Sequence, residues 1–441
     1  NYKLDDYSPY IYKTKNSGET WDLITKGLPE DDFVRVVRED PARKNLLYAG
    51  TEKGIYLSLN GGESWQPFQG NLPISPVHDL MIKDDDLVAA THGRSFWILD
   101  DITPLRQIST DLFTADHHLF KPRSTYRNPE ALGKIDQNRI GPGKNYWVAT
   151  GIPCTFEEYI DVSGVTRRRF LDSGTDITQG VTIHYYLKSP AEQGLQLSFL
   201  NENNGEIASF SNDDPCVERR ITNSRGMNRF VWNMRYKGPI ETTGDSSEDH
   251  FQGPNPDGPK TTPGLYCVVL KSGDVQISEK FEILKHPNCD ATQEDLQKQL
   301  DLLLSIRELL SRSHVAITEL RTIRNQISNW LCSIGDDMFL HSKGGNIISK
   351  LNDVEKTLIT TWSTKERGQF GLPLPQLVES LASLISVVES ADALPTSGSY
   401  DVFHHLSKKI SYNLELLKQT IVNDVGEFSS LLRSRPDYPV F

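Results

Sequence analysis

Short apolar runs separated by polar turns fill the first hundred residues. The runs are rich in β-branched and aromatic residues, and Gly, Asn, Asp and Pro stand between them. This pattern is typical of β-strands joined by tight turns. In the clearest stretch we predict four antiparallel strands, at residues 33–38, 45–50, 54–59 and 65–68.

A repeat organises these strands. The segment YKTKNSGETW, which ends at Trp21, aligns with YLSLNGGESW, which ends at Trp65, so the period is 65 − 21 = 44 residues. The same alignment pairs Phe33 with Val77. A third, shorter copy pairs LYAGT at 47–51 with LVAAT at 87–91. Four strands in about 40–45 residues make one propeller blade, so we predict that residues 1–127 are C-terminal blades of a β-propeller.

The repeated turn has a chemical reason for each shared residue type. Asn bonds backbone two residues further on, and Gly permits a positive φ. We expect both tryptophans to bury beneath their hairpins. We assign this structural role to Thr14, Asn16, Gly18, Thr20 and Trp21 in the first copy, and to Ser58, Asn60, Gly62, Ser64 and Trp65 in the second.

A second all-β pattern begins near residue 180. We predict strands at 181–187, 195–200, 207–211, 228–234, 264–270 and 278–284, and a long surface loop at 242–263. Their spacing and alternation favour an immunoglobulin-like or fibronectin-like β-sandwich over residues 179–287. The segment 128–178 is either a linker or a set of extra strands.

Beyond residue 287 the apolar positions change to helical spacing. Leu296, Leu300 and Leu303 open a stripe that continues to Ile327, and further helices fit 346–362, 375–390 and 400–432. Four amphipathic helices with short connections indicate an antiparallel four-helix bundle over residues 288–441. The fold class is therefore mainly β with an α-helical C-terminal region.

Composition excludes some partners. The net charge of −12 disfavours nucleic acid, whose phosphates require a basic surface. No apolar run approaches the roughly 20 residues that span a bilayer. The five cysteines share no CxxC spacing, so a Cys216–Cys267 disulfide and buried free thiols both remain open.

The repeated turn resembles the Asp-box, or bacterial neuraminidase repeat, of sialidases, sortilin-type propellers and xyloglucanase-type glycosidases, with Asn16 and Asn60 where Asp is usual. Longer stretches are similar to the large bacterial proteins loosely named sortilin-like or BNR-repeat glycosyl hydrolases. Those stretches are VRVVREDPARKNLLYAGTEKGIYLSLNGGESW, PVHDLMIKDDDLVAATHGRSFWILDDITPLRQ, HLFKPRSTYRNP, NRFVWNMRYKGP, TTPGLYCVVLKSG and ALPTSGSYDVFHHLSKKI. The resemblance implies export, and hence a secreted, periplasmic or cell-surface location.

About two and a half blades are visible, whereas a closed ring takes roughly 4–8. A short open stack would leave strand edges exposed. We therefore expect the remaining blades to lie upstream or on another chain.

In a propeller the ligand face carries the loops that join strands two to three and four to one. These loops are residues 50–54, 91–95, 27–32 and 71–77, and their candidate binding residues are Asp31, Asp32, Glu52, Lys53, His92 and Arg94. Arg94 suits bidentate capture of a carboxylate, but an ion pair to a neighbouring blade is an alternative. We expect His92 and Arg94 on the rim of this face.

Three functions remain open. The preferred one is an exported, non-catalytic protein that binds a protein or glycan partner, without metal or cofactor. The second is a sialidase-like or xyloglucanase-like glycoside hydrolase, with carboxylates mainly in upstream blades. Asp31 and Glu52 could join such a pair, although the Arg-Ile-Pro strand of sialidases is absent. The third is a structural subunit of a larger assembly.

The Asp84–Asp86 and Asp100–Asp101 runs lack the alternating spacing of a calcium loop and are interpreted as turns.

Overall fold

The computed structural model describes residues 2–109, 112, 114–128, 144–149, 152–160, 166–170, 179–240, 258–333, 337–359 and 376–434. Sheets that are almost entirely antiparallel occupy the first two thirds of the chain, and helices follow. The observed order, strands followed by helices, agrees with the predicted order of β-rich and helical regions.

The first region contains one four-stranded repeat, a shorter three-stranded repeat after it and a hairpin before them. Its strands are β1 (Tyr12–Lys13), β2 (Asp22–Leu23), β3 (Val34–Glu39), β4 (Leu47–Thr51), β5 (Ile55–Ser58), β6 (Gln66–Pro67), β7 (Val77–Lys83), β8 (Asp86–Thr91) and β9 (Phe96–Leu99). They form a two-stranded sheet β1-β2, a four-stranded sheet β3-β4-β5-β6 and a three-stranded sheet β7-β8-β9. The four strands predicted between residues 33 and 68 are confirmed to within two residues.

The sheets of the first region are tied together by arginines. Arg38 reaches from β3 to β7, where its Nη2 donates to Asp79 at 2.6 Å. The short helix α1 (Thr103–Gln107) then brings Arg106 to the buried carboxylate of Asp40, at 3.0 Å, and to Asp85, at 2.5 Å. Because Asp40 is only 3% exposed, its charge needs this partner.

Three further strands, β12 (Lys144–Ala149), β13 (Ile152–Ile160) and β14 (Thr166–Phe170), form a separate antiparallel meander. The described part of 128–178 therefore contains strands. Most of the loop predicted at 242–263 lies outside the described residues.

The second region has two sheets with one shared core. Its strands are β10 (His117–Leu119), β11 (Thr125–Arg127), β15 (Val181–Leu187), β16 (Leu195–Leu200), β17 (Glu206–Ser211), β18 (Gly226–Trp232), β19 (Gly264–Ser272) and β20 (Val275–Lys285). The sheets run β10-β15-β18 and β11-β20-β19-β16-β17. All six predicted strands are present. Phe199 of one sheet stacks on Trp232 of the other at 4.3 Å between ring centroids, in the centre of the core.

The C-terminal region is helical. It comprises α2 (Gln293–Ser333), α3 (Met338–Leu358), α4 (Leu377–Val388), α5 (Ser397–Gln419), a π-helical turn (Thr420–Val425) and α6 (Gly426–Arg433). One apolar core joins them, with Ile306, Leu351 and Ile410 fully or almost fully buried. The single helix predicted at 400–432 is interrupted by the π-turn.

The predicted start of the second helix, at residue 346, is wrong. The helix begins eight residues earlier because the Asp337 side chain accepts the N–H groups of Phe339 and Leu340 and caps it. Gly344 continues the helix rather than ending it. A Cβ there would lie 2.7 Å from Leu331, so glycine permits close packing against α2.

Polar contacts join the three regions. His184 of β15 lies 3.5 Å from Asp101, just after β9. Arg235 pairs with Glu389 of the helical region at 3.1 Å, and the buried Arg127 pairs with Asp392. The two arginine contacts hold the helices against the second region.

No described helix combines the length and apolar character that a membrane crossing requires. Cys216 and Cys267 are both free thiols, so the disulfide considered between them is not formed. Burial raises the pKa of the Cys267 thiol.

Candidate functional site

The two repeated turns have the same hydrogen-bond network. In the first, the Thr14 hydroxyl accepts the Gly18 N–H at 2.8 Å, and the Asn16 side chain accepts the Thr20 N–H at 2.9 Å. The second turn repeats both contacts: Ser58 accepts the Gly62 N–H at 2.9 Å, and Asn60 accepts the Ser64 N–H at 3.0 Å. Gly18 and Gly62 adopt φ values of 97° and 93°, which explains glycine at both positions.

The tryptophans of the two turns differ. Trp65 is 5% exposed, and its indole N–H donates to the carbonyl of Ile24 at 2.8 Å. Trp21 is 58% exposed, and its indole N–H returns to Gly18 in its own turn at 3.1 Å. The expectation that both indoles bury is therefore wrong for Trp21, whose indole N–H bonds within its own turn, whereas that of Trp65 bonds to the hairpin before it.

At the opposite end of the strands, two β-bulges occupy equivalent positions. In β3 the pairing shifts between Val34 and Val36, which leaves Arg35 as the extra residue. In β7 it shifts between Val77 and Asp79, which leaves His78 as the extra residue. Bulges redirect a side chain and are enriched beside functional sites.

The equivalence of these bulges corrects the sequence alignment by one residue. Val34 pairs with Thr51, and Val77 pairs with Thr91, so Val77 corresponds to Val34 rather than to Phe33. The turn contacts agree: the Glu52 N–H donates to the carbonyl of Phe33 at 3.2 Å, and the His92 N–H donates to the carbonyl of Pro76 at 2.8 Å. Arg35 with Glu52 is thus equivalent to His78 with His92.

Both bulge residues line one cleft of about 320 Å³, which we call the bulge cleft. Its lining is Tyr2, Ser8, Tyr10, Phe33, Val34, Arg35 and His78. The volume lies at the lower end of the range for small-ligand pockets. Most of the lining residues carry an aromatic ring or a hydroxyl group.

On one side of the cleft the aromatic rings are stacked. The Tyr2 and Phe33 rings stack at 5.0 Å, and the Arg35 guanidinium lies 4.8 Å from the Phe33 centroid. On the other side, Tyr10 is 46% exposed and its hydroxyl donates to Asp6 at 2.9 Å. The Asp6 pKa is lowered, with this hydrogen bond as the largest cause.

The two equivalent loop pairs have different chemistry. Arg35 Nε lies 2.7 Å from Glu52 Oε2, so the two groups form a charge-assisted pair in which each is only partly exposed. The His78 and His92 rings instead stack at 5.0 Å with an 18° angle between planes. The cleft lining thus includes one member of each pair, Arg35 and His78.

The acidic candidates do not share one role. Asp32 is fully buried, and its carboxylate accepts the Thr51 hydroxyl at 2.9 Å and the Lys53 N–H at 3.1 Å. It therefore braces the loop and is not available to a ligand, contrary to its assignment as a binding residue. Asp31 is exposed and pairs with the Lys53 ammonium at 2.6 Å.

This pairing bears on acid catalysis. The hydrogen bond from Lys53 lowers the pKa of Asp31, and the same contact raises the pKa of Lys53. A glycosidase general acid requires the opposite, a carboxyl group with a raised pKa. Glu52 is likewise held beside a cation, Arg35. Neither carboxylate has the surroundings of a general acid.

His92 and Arg94 lie in the turn between β8 and β9, and both side chains are exposed. The carbonyl of Arg94 accepts the indole N–H of Trp97 at 2.9 Å, and Gly93 between them has a φ of 87°. Over the described ranges the Arg94 guanidinium forms no ion pair. The alternative of an ion pair to a neighbouring blade therefore has no described partner.

Sequence reasoning missed the residues that build the cleft itself: Tyr2, Ser8, Tyr10, Phe33, Arg35 and His78. A signal for the aromatic wall was available, since four tyrosines fall within residues 2–12. The bulges leave no such signal in the sequence, because one extra residue in a strand changes the alternation of apolar and polar positions too little to be recognised. In the part of the chain that the structure describes, no three His, Cys, Asp or Glu side chains are grouped as a metal site.

No protein-family model matches this sequence, and no curated protein matches it. Among solved structures, one similar chain is the extracellular domain of a putative hybrid two-component system from B. thetaiotaomicron, with 9% identity and a TM-score of 0.19. Another is an ancestral GH74 enzyme, with 10% identity and a TM-score of 0.18. Each match covers 63% of this chain, which spans 29% of the first structure and 44% of the second.

Proposed function

We propose that this protein binds a glycan in the bulge cleft and acts there by recognition rather than by catalysis. The observation that carries the proposal is the pair of equivalent bulges, which turn Arg35 and His78 toward one aromatic cleft. Each bulge disrupts the backbone hydrogen bonds between its two paired strands, and this loss occurs at the same position in two consecutive repeats. A binding role explains that cost better than a purely structural one.

The walls of the cleft favour a neutral, hydroxyl-rich ligand. Tyr10 and Phe33 provide ring surface, and Ser8 and His78 provide hydrogen-bonding groups. The Arg35 charge is already matched by Glu52 at 2.7 Å, so the cleft offers no unpaired cation from this side chain to an anion. Aromatic surface with a few placed polar groups is the usual composition of small-ligand sites. A peptide ligand is the competing outcome.

The surrounding architecture belongs to the same proposal. We take the first region as blades of an Asp-box propeller that pack against further blades. Among the described strands β9 pairs with β8 alone, and it exposes 75% of Phe96 and 61% of Ile98. Its equivalent, β5, pairs with both β4 and β6. An uncovered apolar edge of this kind is a surface for another strand.

The remaining regions serve as assembly modules in this proposal. Residues 179–287 would be an immunoglobulin-like sandwich, residues 288–441 a four-helix bundle, and 128–178 the connection from the propeller. The contacts of Arg235 and Arg127 with the helical region support a fixed arrangement of the two modules. The location outside the cytoplasm is the one that the sequence resemblance implies.

The test is a binding measurement on the full chain. An array of neutral oligosaccharides, including cellotetraose, xylotetraose and mannotetraose, is probed with the wild type and with Tyr10→Ala. Loss of one ring contact is expected to weaken binding by about threefold to tenfold. Tyr412→Ala is the matched control, because Tyr412 is 69% exposed on α5.

Two results would overturn the proposal. One is binding of no oligosaccharide by the wild type, and the other is equal binding by wild type and Tyr10→Ala. If a displayed peptide library yields ligands whose binding requires Tyr10, the cleft recognises protein instead of glycan.

A further inference from the structure

The first region is a stack of three units, the hairpin β1-β2, the four-stranded sheet and the three-stranded sheet. Between the two sheets lies an apolar cluster that includes Tyr48, Ile55 and Leu57 of the four-stranded sheet and Leu87 and Ala89 of the three-stranded sheet. Ile55 and Leu57 are buried, and Tyr48 is fully so. A row of apolar side chains on one sheet is thus covered by the sheet that follows it.

The three-stranded sheet presents the equivalent row to solvent. The strand pairing places three apolar residues at the positions of that row: Val88, Phe96 and Ile98. Met81 lies directly opposite Val88 and extends the row. Phe96, Ile98 and Met81 are each more than half exposed. We call Met81, Val88, Phe96 and Ile98 the end-sheet face, and a contiguous exposed apolar patch of this kind marks an interaction surface.

The hairpin at the other end of the stack exposes the opposite kind of surface. In the four-stranded sheet, Tyr56 and Trp65 are buried in the cluster formed with the preceding hairpin. Their equivalents in the hairpin, Tyr12 and Trp21, are each more than half exposed. Leu23 pairs with Tyr12, shares its face and is also more than half exposed. We call Tyr12, Trp21 and Leu23 the hairpin face.

The two faces are complementary in the way that consecutive units already are. Each apolar cluster joins the row of one unit to the opposite surface of the next unit. The end-sheet face is such a row, and the hairpin face is such an opposite surface. The four-stranded sheet separates the two faces within one molecule, so they can meet only between two molecules.

Polar groups also favour the hairpin as the partner of the end-sheet face. Met81 holds the position equivalent to Arg38, which needs Asp79 on the following sheet as its ion-pair partner. The hairpin, with two described strands, has no equivalent of β7 and hence of Asp79. A methionine in place of the arginine leaves no cation unpaired there. The Trp21 indole N–H already donates to Gly18 at 3.1 Å, so covering it leaves no donor unsatisfied.

We propose that the end-sheet face of one molecule packs on the hairpin face of a second copy of this chain, head to tail. This inference rests on the proposed arrangement of the first region as blades and does not require glycan binding. Head-to-tail contacts close into a ring when the rotation permits. Two copies with about two and a half blades each contribute about five, within the roughly 4–8 of closed propellers. We therefore expect a dimer, in which Trp21 is covered.

Sedimentation velocity of the full chain, from about 1 μM to about 100 μM, tests the association. The wild type should change from monomer to dimer over this range. Phe96→Asp and Trp21→Asp should each weaken association at least about tenfold, because the new carboxylate would be buried against an apolar surface. Val402→Asp, at an exposed apolar residue of α5, is the matched control and should associate as the wild type does. Thermal unfolding followed by circular dichroism verifies that every variant is folded.

Mixing the two variants tests the head-to-tail geometry. Phe96→Asp keeps an intact hairpin face, and Trp21→Asp keeps an intact end-sheet face. An equimolar mixture should therefore form a dimer through one intact contact, although each variant alone stays monomeric. A mixture that stays monomeric would overturn the proposal, as would a wild type that is monomeric at about 100 μM. Dimerisation of Trp21→Asp alone would also overturn it, because the end-sheet face would then pair with itself.

The outcome is separable from that of the proposed function. Phe96 does not line the bulge cleft, so Phe96→Asp should bind cellotetraose, xylotetraose or mannotetraose with the affinity of the wild type. Sugar binding by a chain that does not associate would leave glycan recognition standing and refute the head-to-tail contact. Association without sugar binding would refute glycan recognition and support the contact.

Discussion

The two repeated turns have nearly the same sequence and the same local hydrogen bonds, yet their tryptophans have opposite environments. Trp65 lies between its own sheet and the carbonyl of Ile24 in the preceding hairpin, whereas Trp21 is 58% exposed. The hydrogen bonds of each turn thus join residues within about eight positions of one another, whereas burial of the tryptophan depends on contact with a neighbouring repeat. Substitutions that remove tryptophan packing should therefore affect stability differently in the two turns, and substitutions that remove local hydrogen bonds should affect both turns equally.

The largest difference is expected on removing the indoles. Trp65→Ala should lower the free energy of unfolding by about 3–5 kcal/mol, because it leaves a cavity in a packed cluster. Trp21→Ala should cost less than about 1 kcal/mol, because little apolar surface leaves the interior. Urea denaturation of the full chain, followed by circular dichroism, measures both. Equal losses would show that Trp21 is covered in solution.

A smaller difference is expected at the turn glycines. Gly62→Ala places a Cβ 2.4 Å from Ile24 in addition to its unfavourable φ, and should cost about 2 kcal/mol. Gly18→Ala meets no atom closer than 3.8 Å and should cost about 1 kcal/mol from the φ alone. Thermal unfolding of the two variants side by side provides the measurement. A larger loss for Gly18→Ala would contradict the assigned packing.

No difference is expected at the turn asparagines. Asn16→Ala and Asn60→Ala each remove a side-chain acceptor from a backbone N–H, at 2.9 Å and 3.0 Å, and should each cost about 1 kcal/mol. Denaturation midpoints test this equality. A cost confined to Asn60→Ala would mean that the local network depends on burial after all.

The smallest effect on stability is expected at Arg94, in the third and shortest repeat. Arg94→Ala should change the free energy of unfolding by less than about 0.5 kcal/mol, since the side chain is exposed and has no described ion-pair partner. If the rim also contacts an anionic ligand, binding should weaken by about 1–3 kcal/mol. Calorimetric melting and affinity measured on the one variant separate these roles. A large loss of stability alone would indicate that Arg94 forms an ion pair with a neighbouring element.

The candidate site could be predicted only in part. The loops that contain Glu52 and His92 follow from the strand pattern, and both residues contact the bulge residues. The buried role of Asp32 did not follow, because an acid on a polar loop looks the same whether it contacts solvent or a neighbouring hydroxyl. Arg35 and His78 were missed, since a bulge is a property of paired strands rather than of one strand.

By itself the sequence determined the elements with strong local causes: the turns at Gly18 and Gly62, the strands between them and the long apolar stripe of α2. Their periodicity and hydrogen bonding depend on neighbours along the chain. Only the tertiary structure decided which tryptophan is buried, which carboxylate is paired and which bulge residues share a cleft. Those outcomes depend on groups tens of residues apart, whose meeting is set by how the sheets pack.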